Sequence, residues 1–161
     1  MNASSLLLEN YFFTEMTFKS NPRIKLEDCK ITADDLKVSV RECHDEVSNR
    51  RWVFELRVDL PQIPARKLPY TFRLVLVGIF DVDEGYPKEK ATLLARVNGP
   101  SVLYSAAREA IATMTGRGPY PAILLPPVNF LPAANMQDKK KGSMKSVQVK
   151  KAKRNVVRRK G

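Results

Sequence analysis

Hydrophobic and polar residues alternate along four segments in the first half of the chain. The clearest is 51–60, in which every second residue is apolar: Trp52, Phe54, Leu56, Val58 and Leu60. The same period occurs in residues 8–18, 36–43 and 70–80. A period of two places apolar side chains on one face of a β-strand. The four runs therefore predict an antiparallel sheet with one buried face.

The first and last runs also carry apolar residues on their second face. In residues 8–18 the alternation predicts one face with Leu8, Phe12, Met16 and Phe18 and another with Tyr11, Phe13, Glu15 and Thr17. Residues 70–80 are apolar on both faces near their end. We therefore expect another chain to cover the second sheet face, which would carry Tyr11, Phe13, Val53, Val75 and Val77.

A helix is predicted after the last strand. Apolar residues at three- and four-residue spacings form one stripe along it, made of Leu103, Ala106, Ala107, Ala110, Ile111 and Met114. Pro100 suits the first turn of a helix. Gly116 and Gly118 are expected to end the helix by adopting the left-handed backbone conformation.

The helix leads into an apolar loop that contains four prolines, at 119, 121, 126 and 127. Proline removes a backbone donor and restricts the preceding residue, so the helix does not resume. The apolar residues that remain on this loop are Tyr120, Ile123, Leu124, Leu125, Val128 and Phe130. Such a loop either packs on the domain or offers an apolar surface to another molecule.

Charge divides the 161-residue chain into two parts. The formal net charge is +11, and residues 138–161 hold 11 Lys and Arg side chains and one acid. Residues 1–137 keep 17 basic and 16 acidic side chains. We therefore expect one folded domain over 1–137 and a basic, disordered tail over 138–161.

Residues 100–130 resemble the signature of SecB-type chaperones, a family that holds unfolded polypeptides without ATP. The matching elements share one ungapped register: Ala107-Arg108-Glu109, Arg117-Gly118, Pro121 and Pro127-Val128-Asn129-Phe130. Val77-Gly78-Ile79-Phe80 also resembles the family. The resemblance implies an α+β fold, with a four-stranded antiparallel sheet followed by a long helix and a proline-rich loop. The family's second C-terminal helix is expected to be short or absent here, because lysines follow residue 137.

The same resemblance implies a function and partners. It implies a chaperone that binds unfolded polypeptides in apolar grooves and assembles as a homotetramer, a dimer of dimers. The clients would be proteins for export, delivered to the translocase ATPase, or a dedicated client such as the antitoxin of a toxin–antitoxin module. Family members engage the translocase through an acidic sheet surface, whereas this core is nearly neutral and its tail is basic.

Two sets of residues follow from these interpretations. We predict client contacts at Tyr11, Phe13, Val38, Val40, Tyr120, Ile123, Leu125 and Phe130. We predict oligomer contacts at Phe72, Leu74, Leu76, Leu103, Ala107, Ile111 and Met114.

Catalytic and metal chemistry find little support in the sequence. Cys29, Cys43 and His44 lack the paired Cys-x-x-Cys spacing of a zinc site. No glycine-rich phosphate loop or nucleophile elbow occurs. Arg108 and Glu109 are neighbours on a helix and so point about 100° apart, which favours separate contacts over a catalytic pair. We expect no metal, no cofactor and no enzymatic activity.

The N-terminal region does not read as a secretory signal, because no basic segment precedes its apolar run and Glu9 interrupts that run. No stretch reaches the roughly 20 apolar residues of a membrane span. We therefore expect a cytoplasmic protein without membrane insertion.

The basic tail favours an alternative function. Its cations would attach the chain to nucleic acid, the ribosome or an anionic surface by salt-sensitive contacts; the residues are Lys139, Lys140, Lys141, Lys150, Lys151, Lys153, Arg154, Arg158 and Arg159. In this alternative the core serves only to oligomerise. The core lacks the interleaved aromatic and basic residues typical of single-strand binding proteins.

Overall fold

Four strands and one long helix follow one another along the chain. In this computed structural model, which describes residues 4–25, 31–44, 50–63 and 68–131, they are β1 (Leu6–Ser20), β2 (Lys37–His44), β3 (Arg51–Leu60), β4 (Tyr70–Val82) and α1 (Lys88–Gly116). The strands form one antiparallel sheet in the order β1-β4-β3-β2. The prediction of an α+β fold with a four-stranded antiparallel sheet is confirmed.

The core lies between α1 and one face of the sheet, called the inner face below. On β3 it uses the alternating residues of the sequence pattern, all of them at most 3% exposed: Trp52, Phe54, Leu56, Val58 and Leu60. The β4 residues paired with them also lie on this face. A Cβ added at Gly99 of α1 would lie 2.7 Å from the Phe54 ring. Glycine is therefore needed where the helix crosses β3.

β1 contains two irregularities in its pairing with β4. The register shifts between Leu8 and Asn10, and again between Phe13 and Glu15. Each shift inserts one extra residue into β1, and an extra residue reverses the alternation of side chains between the two faces. The sequence period alone therefore gives the wrong face for part of this strand.

Tyr11 and Phe13 pair with β4 residues of the inner face, whereas Phe12 pairs with Val77 on the opposite, outer face. The predicted faces of Tyr11, Phe12 and Phe13 were wrong for this reason. The outer face carries the other apolar residues that were predicted there, Val53, Val75 and Val77.

α1 begins at Lys88, and Pro100 lies inside it. The prediction that Pro100 occupies the first turn was wrong. The helical segment ahead of it buries Ala91, Ala95 and Gly99. Tertiary packing of this face outweighs the local cost of proline, because helices in proteins owe most of their stability to packing.

α1 ends at Gly116 without a left-handed glycine. No described residue has a positive φ. Arg117 has φ −94°, and the Gly118 N–H donates to the Thr115 carbonyl at 3.0 Å. The predicted left-handed conformation at Gly116 and Gly118 was therefore wrong, and the prolines after Gly118 prevent the helix from continuing.

The chain divides into two compact units, Met1–Val128 and Asn129–Gly161. The first contains the sheet, α1 and residues 119–128. In the second, the described residues end at Leu131, whose N–H donates to Asn129 Oδ1 at 3.0 Å.

Several predictions fall on parts of the chain outside the described residues. They concern Cys29, the second helix, the domain boundary at residue 137, and the tail with its nine candidate cations. The side chains of Cys43 and His44 are also outside the description. Among the helical residues that the structure describes, none forms a segment apolar and long enough to span a bilayer.

Candidate functional site

The proline-spaced loop, residues 119–128, runs back along α1. Arg108 Nε donates to the Leu125 carbonyl at 3.0 Å, and Tyr104 Oη donates to the Pro126 carbonyl at 2.8 Å. Tyr104 and Arg108 lie one helical turn apart, so the loop runs opposite in direction to the helix. Two successive carbonyls of the loop are therefore turned towards α1.

Tyr120 anchors the beginning of this loop. Its side chain is 8% exposed and packs with Ile24 and Tyr70, and Ile123 packs against the same cluster. The Tyr120 hydroxyl lies 2.5 Å from the Asn21 carbonyl and 3.0 Å from the Ile24 carbonyl. Tyr120 thus points into the protein rather than towards solvent.

Leu124 is the most exposed large apolar residue among the described ones, with 78% of its surface accessible. Its neighbour Leu125 is 2% exposed, and Val128 is 37% exposed. Sequence reasoning predicted Leu125 as a contact and omitted Leu124. Between prolines no regular period exists, so the sequence does not show which of the two leucines faces outward.

The predicted client-contact residues do not form one surface. Tyr120 and Ile123 lie together at the loop, while Tyr11 and Phe13 lie together on β1 with their ring centroids 6.4 Å apart. Half-buried Val38 and Val40 lie on β2. Because β1 and β2 are opposite edges of the sheet, three strand spacings or about 14 Å separate them. Phe130 belongs to the second unit and is 5% exposed.

The predicted oligomer contacts are mostly core residues of the single chain. Six of the seven are at most 4% exposed: Phe72, Leu74, Leu76, Leu103, Ala107 and Ile111. Met114 is 44% exposed. Of this set, Met114 alone has accessible surface for a partner before any rearrangement.

β1 carries an exposed apolar surface that the oligomer prediction did not include. Five of its residues are between 39% and 49% exposed: Leu7, Leu8, Tyr11, Phe12 and Met16. The strand is 15 residues long and forms one edge of the sheet. These side chains lie on both faces of the sheet. A long edge strand with apolar faces is suited to pairing with another chain.

The outer face of the sheet carries charges that pair with one another. Nitrogen–oxygen distances run from 2.5 to 3.8 Å in the pairs Arg51–Glu9, Arg57–Asp59, Arg73–Asp59, Arg73–Glu15 and Arg41–Glu55. A hydrogen bond with the Asp81 side chain raises the pKa of Glu9, although Arg51 opposes the shift. Within the described residues, this face is therefore a mixture of apolar side chains and of charges that are mostly paired with the opposite sign.

The sequence of this chain is similar to those of SecB proteins. The model of the family "Preprotein translocase subunit SecB" matches residues 4–141. The protein-export protein SecB of Hahella chejuensis is 25% identical over 125 residues, which are 76% of either chain. The SecB of Bradyrhizobium diazoefficiens is 28% identical over 96 residues, 60% of this chain and 59% of that protein.

Similarity of fold is seen with a solved structure. It is a SecB-like chaperone of Mycobacterium tuberculosis in complex with a peptide from the HigA1 antitoxin, with a TM-score of 0.54 and 17% identity. The match covers 78% of this chain and 91% of the other. The sheet order, the long helix, the proline-spaced loop and the family match over residues 4–141 lead to one conclusion: the chain belongs to the SecB family of holding chaperones.

Proposed function

We propose that this SecB-family chaperone holds unfolded polypeptides against the outward side of its proline-spaced loop, with Leu124 as the central contact. The observation that carries the proposal is the 78% exposure of Leu124 on a loop whose neighbouring carbonyls are bound by Arg108 and Tyr104. An apolar side chain held in this way cannot turn inward without breaking those hydrogen bonds. Val128, 37% exposed, offers further apolar surface on the same loop, whereas Ile123 packs inward against Tyr120.

The energy of apolar burial is sufficient for holding without ATP. A client segment that buries about 400 Å² of apolar surface gains about 10 kcal/mol at the usual coefficient. Ordering the client and restricting its motion offset a large part of this gain. The remaining affinity is moderate and depends little on sequence, which suits a protein that binds unfolded chains and later releases them.

We further propose a dedicated client, of the antitoxin type, over general delivery to the translocase. The outer face supports this choice, because its carboxylates are paired with arginines and do not form an acidic surface. A basic partner would have to break these pairs before binding. The Mycobacterium tuberculosis chaperone of similar fold was solved with an antitoxin peptide, which is the kind of client we propose here.

The functional unit in this proposal is a cytoplasmic homotetramer that forms first through β1. Two β1 strands pairing edge to edge would cover the five exposed apolar residues of this strand. A shallow cavity of about 310 Å³, lined in part by Leu6, Val102 and Ser105, lies beside the start of β1 and would accept partner side chains. Met114 stays a predicted oligomer contact.

A second candidate function rests on the charge of the tail. Residues 138–161 hold 11 basic side chains and one acid, enough for salt-sensitive attachment to ribosomes or nucleic acid. We propose that this attachment brings the chaperone near nascent clients. Deletion of residues 138–161 should then reduce cosedimentation with ribosomes; unchanged cosedimentation would exclude the tail as the attachment site.

The holding function is tested by diluting a chemically unfolded polypeptide into the full-length protein without ATP, at low and at high salt. Light scattering reports client aggregation, and the mass of the chaperone is measured on the same sample. We expect protection at both salt concentrations. Protection that disappears at high salt would assign client binding to the tail rather than to the loop.

Leu124→Ser tests the central contact. The matched control is Leu93→Ser, because Leu93 is also exposed, at 44%, but lies near the start of α1. We expect Leu124→Ser to lower client affinity about tenfold, through the loss of one buried leucine worth roughly 1.5 kcal/mol or more. Equal losses in both variants would argue against a specific role for the loop.

A further inference from the structure

Three distant chain segments meet at two tyrosines next to the start of the loop. Tyr70 is the first residue of β4, and Tyr120 lies after the end of α1. Their rings make an edge-to-face contact with centroids 5.7 Å apart. The third segment is Asn21–Ile24, directly after β1, whose backbone binds the Tyr120 hydroxyl. The Ile24 N–H also donates to this oxygen, at 3.2 Å. One side chain thus joins the end of β1 to the beginning of the loop.

Tyr70 fixes the other side of the same junction. Its hydroxyl donates to the Thr115 carbonyl at 2.9 Å and accepts the Tyr120 N–H at 3.2 Å. Gly118 passes so near that an added Cβ would lie 2.2 Å from this oxygen. The backbone after α1 is therefore held on Tyr70, and glycine at 118 is needed for the close approach rather than for a left-handed turn.

The next hydrogen bond along the loop, from the Ile123 N–H to Thr115, helps to set the direction in which the side chains of the loop point. The Thr115 hydroxyl donates to the Ile111 carbonyl at 2.6 Å and accepts the Ile123 N–H at 2.9 Å. Together with the bonds from α1 to the Leu125 and Pro126 carbonyls, it fixes the backbone on both sides of Leu124. A shift of one residue would exchange Leu124 and Leu125, so that the inner leucine would face solvent.

We propose that Tyr120 is a positioning residue for client binding: it fixes the register of the loop so that Leu124 is presented outward. Sequence reasoning assigned Tyr120 to direct client contact. Its burial and its three hydroxyl contacts assign it instead to holding the loop. The inference rests on the proposed function, because it concerns how the same loop meets its client.

The test is a double-mutant cycle in the full-length protein, with an unfolded model polypeptide as the probe. Tyr120→Phe keeps the ring and removes the hydroxyl. We expect this change to weaken client binding about fivefold, the effect of one typical buried hydrogen bond. In the Leu124→Ser background the same change should have little effect, because Tyr120 acts through the position of Leu124. A purely structural role gives equal, additive effects in both backgrounds.

Hydrogen exchange on the same proteins locates the change. Tyr120→Phe should speed amide exchange in residues 21–24 and 119–124, and leave β3 unchanged. Thr115→Val removes the Ile123 contact without touching Tyr120 and should speed exchange in the loop alone. Tyr86→Phe is the control, since the Tyr86 side chain makes no hydrogen bond within the described residues, and it should change neither exchange nor binding.

The outcomes separate the two proposals. If Leu124→Ser binds the client as well as the wild type, the proposed contact surface is overturned, and the positioning role with it. If Leu124→Ser weakens binding but Tyr120→Phe does not, or the two effects are additive, only the positioning role is overturned. Unchanged exchange in residues 119–124 of Tyr120→Phe also overturns it.

Discussion

Arg96 of α1 and Glu42 of β2 form a buried ion pair across the inner face, with Nε 2.7 Å from Oε2 and side chains 3% and 8% exposed. The Arg96 guanidinium also lies over the Trp52 ring, 5.9 Å from its centroid. Glu42 follows Val38 and Val40 on the inward-facing side of β2. The pair therefore fastens this edge strand to the helix.

We expect removal of either partner to be strongly destabilising. Arg96→Met or Glu42→Gln removes this ion pair and leaves the other group buried without it, at a cost of about 3–5 kcal/mol in the free energy of unfolding. Replacing both by apolar residues, as in Arg96→Met with Glu42→Leu, should restore most of that loss. Urea unfolding followed by fluorescence measures this, because Trp52 is the only tryptophan of the chain.

Arg41→Met provides the matched control. Arg41 pairs with Glu55 at 3.8 Å on the outer face, where its side chain is 74% exposed. An exposed pair contributes at most about 1 kcal/mol. If Arg41→Met and Arg96→Met lowered the free energy of unfolding by similar amounts, burial of the Arg96–Glu42 pair would not increase its contribution to stability.

The two glycines at the end of α1, Gly116 within its last turn and Gly118 after it, should respond in opposite ways to alanine. At Gly118 an added methyl group meets the Tyr70 hydroxyl, so we expect Gly118→Ala to cost about 1–3 kcal/mol of stability. At Gly116 the nearest atom would be the Ala122 Cβ at 3.5 Å, an ordinary contact. Gly116→Ala should therefore be neutral or stabilise by up to about 1 kcal/mol. Thermal unfolding of both variants checks the contrast; equal effects would contradict it.

Charge placed on β1 should dissociate the assembly. Phe12→Lys puts a cation in the middle of the exposed edge strand, where a β1–β1 contact would bury it without a partner. We expect the mass measured by light scattering to fall from that of a tetramer to that of a monomer, with the sheet intact by circular dichroism. Leu93→Lys on α1 should leave the mass unchanged. A Phe12→Lys protein that remains tetrameric would exclude β1 as the primary interface.

Alkaline pH should loosen the loop through Tyr104. Burial raises the pKa of the Tyr104 hydroxyl above its ordinary value, and Arg108 opposes the shift. The folded protein therefore keeps this proton at a pH where the unfolded chain releases it, so stability falls as the pH rises past about 10. Tyr104→Phe should flatten this part of the stability profile, measured by urea unfolding between pH 8 and 11. An unchanged profile would show that another group dominates.

Much of the fold could be predicted from the sequence, because the strands are specified by the local alternation of apolar and polar residues. The alternation in 51–60 reflects one buried and one half-buried face of β3, and every predicted inward residue there is core. The faces of Tyr11, Phe12 and Phe13 could not be predicted, because they lie between two bulges of β1 that no local sequence signal marks. The start of α1 was missed because Pro100 was interpreted as a residue of its first turn, whereas the helix begins at Lys88 and its first half is stabilised by the packing of Ala91 and Ala95.

The candidate site was predicted at the level of the segment and not of the residue. The prolines identified the loop, since their effect on the backbone is independent of context. Which of Leu124 and Leu125 faces outward depends on hydrogen bonds from Thr115, Tyr104 and Arg108, all residues of a different element. The pairing of Glu42 with Arg96 was missed for the same reason, because their side chains meet only after the sheet and the helix have packed.

The four prolines of the loop have a consequence for the chaperone itself. An exposed apolar segment promotes aggregation when its backbone can form hydrogen bonds with another extended chain, because strands paired in this way stack into fibrils. Proline at four of the ten positions of 119–128 interrupts the row of amide donors that such growth requires. If clients bind at this loop as proposed, they would be held through side chains, without a backbone template on which to assemble.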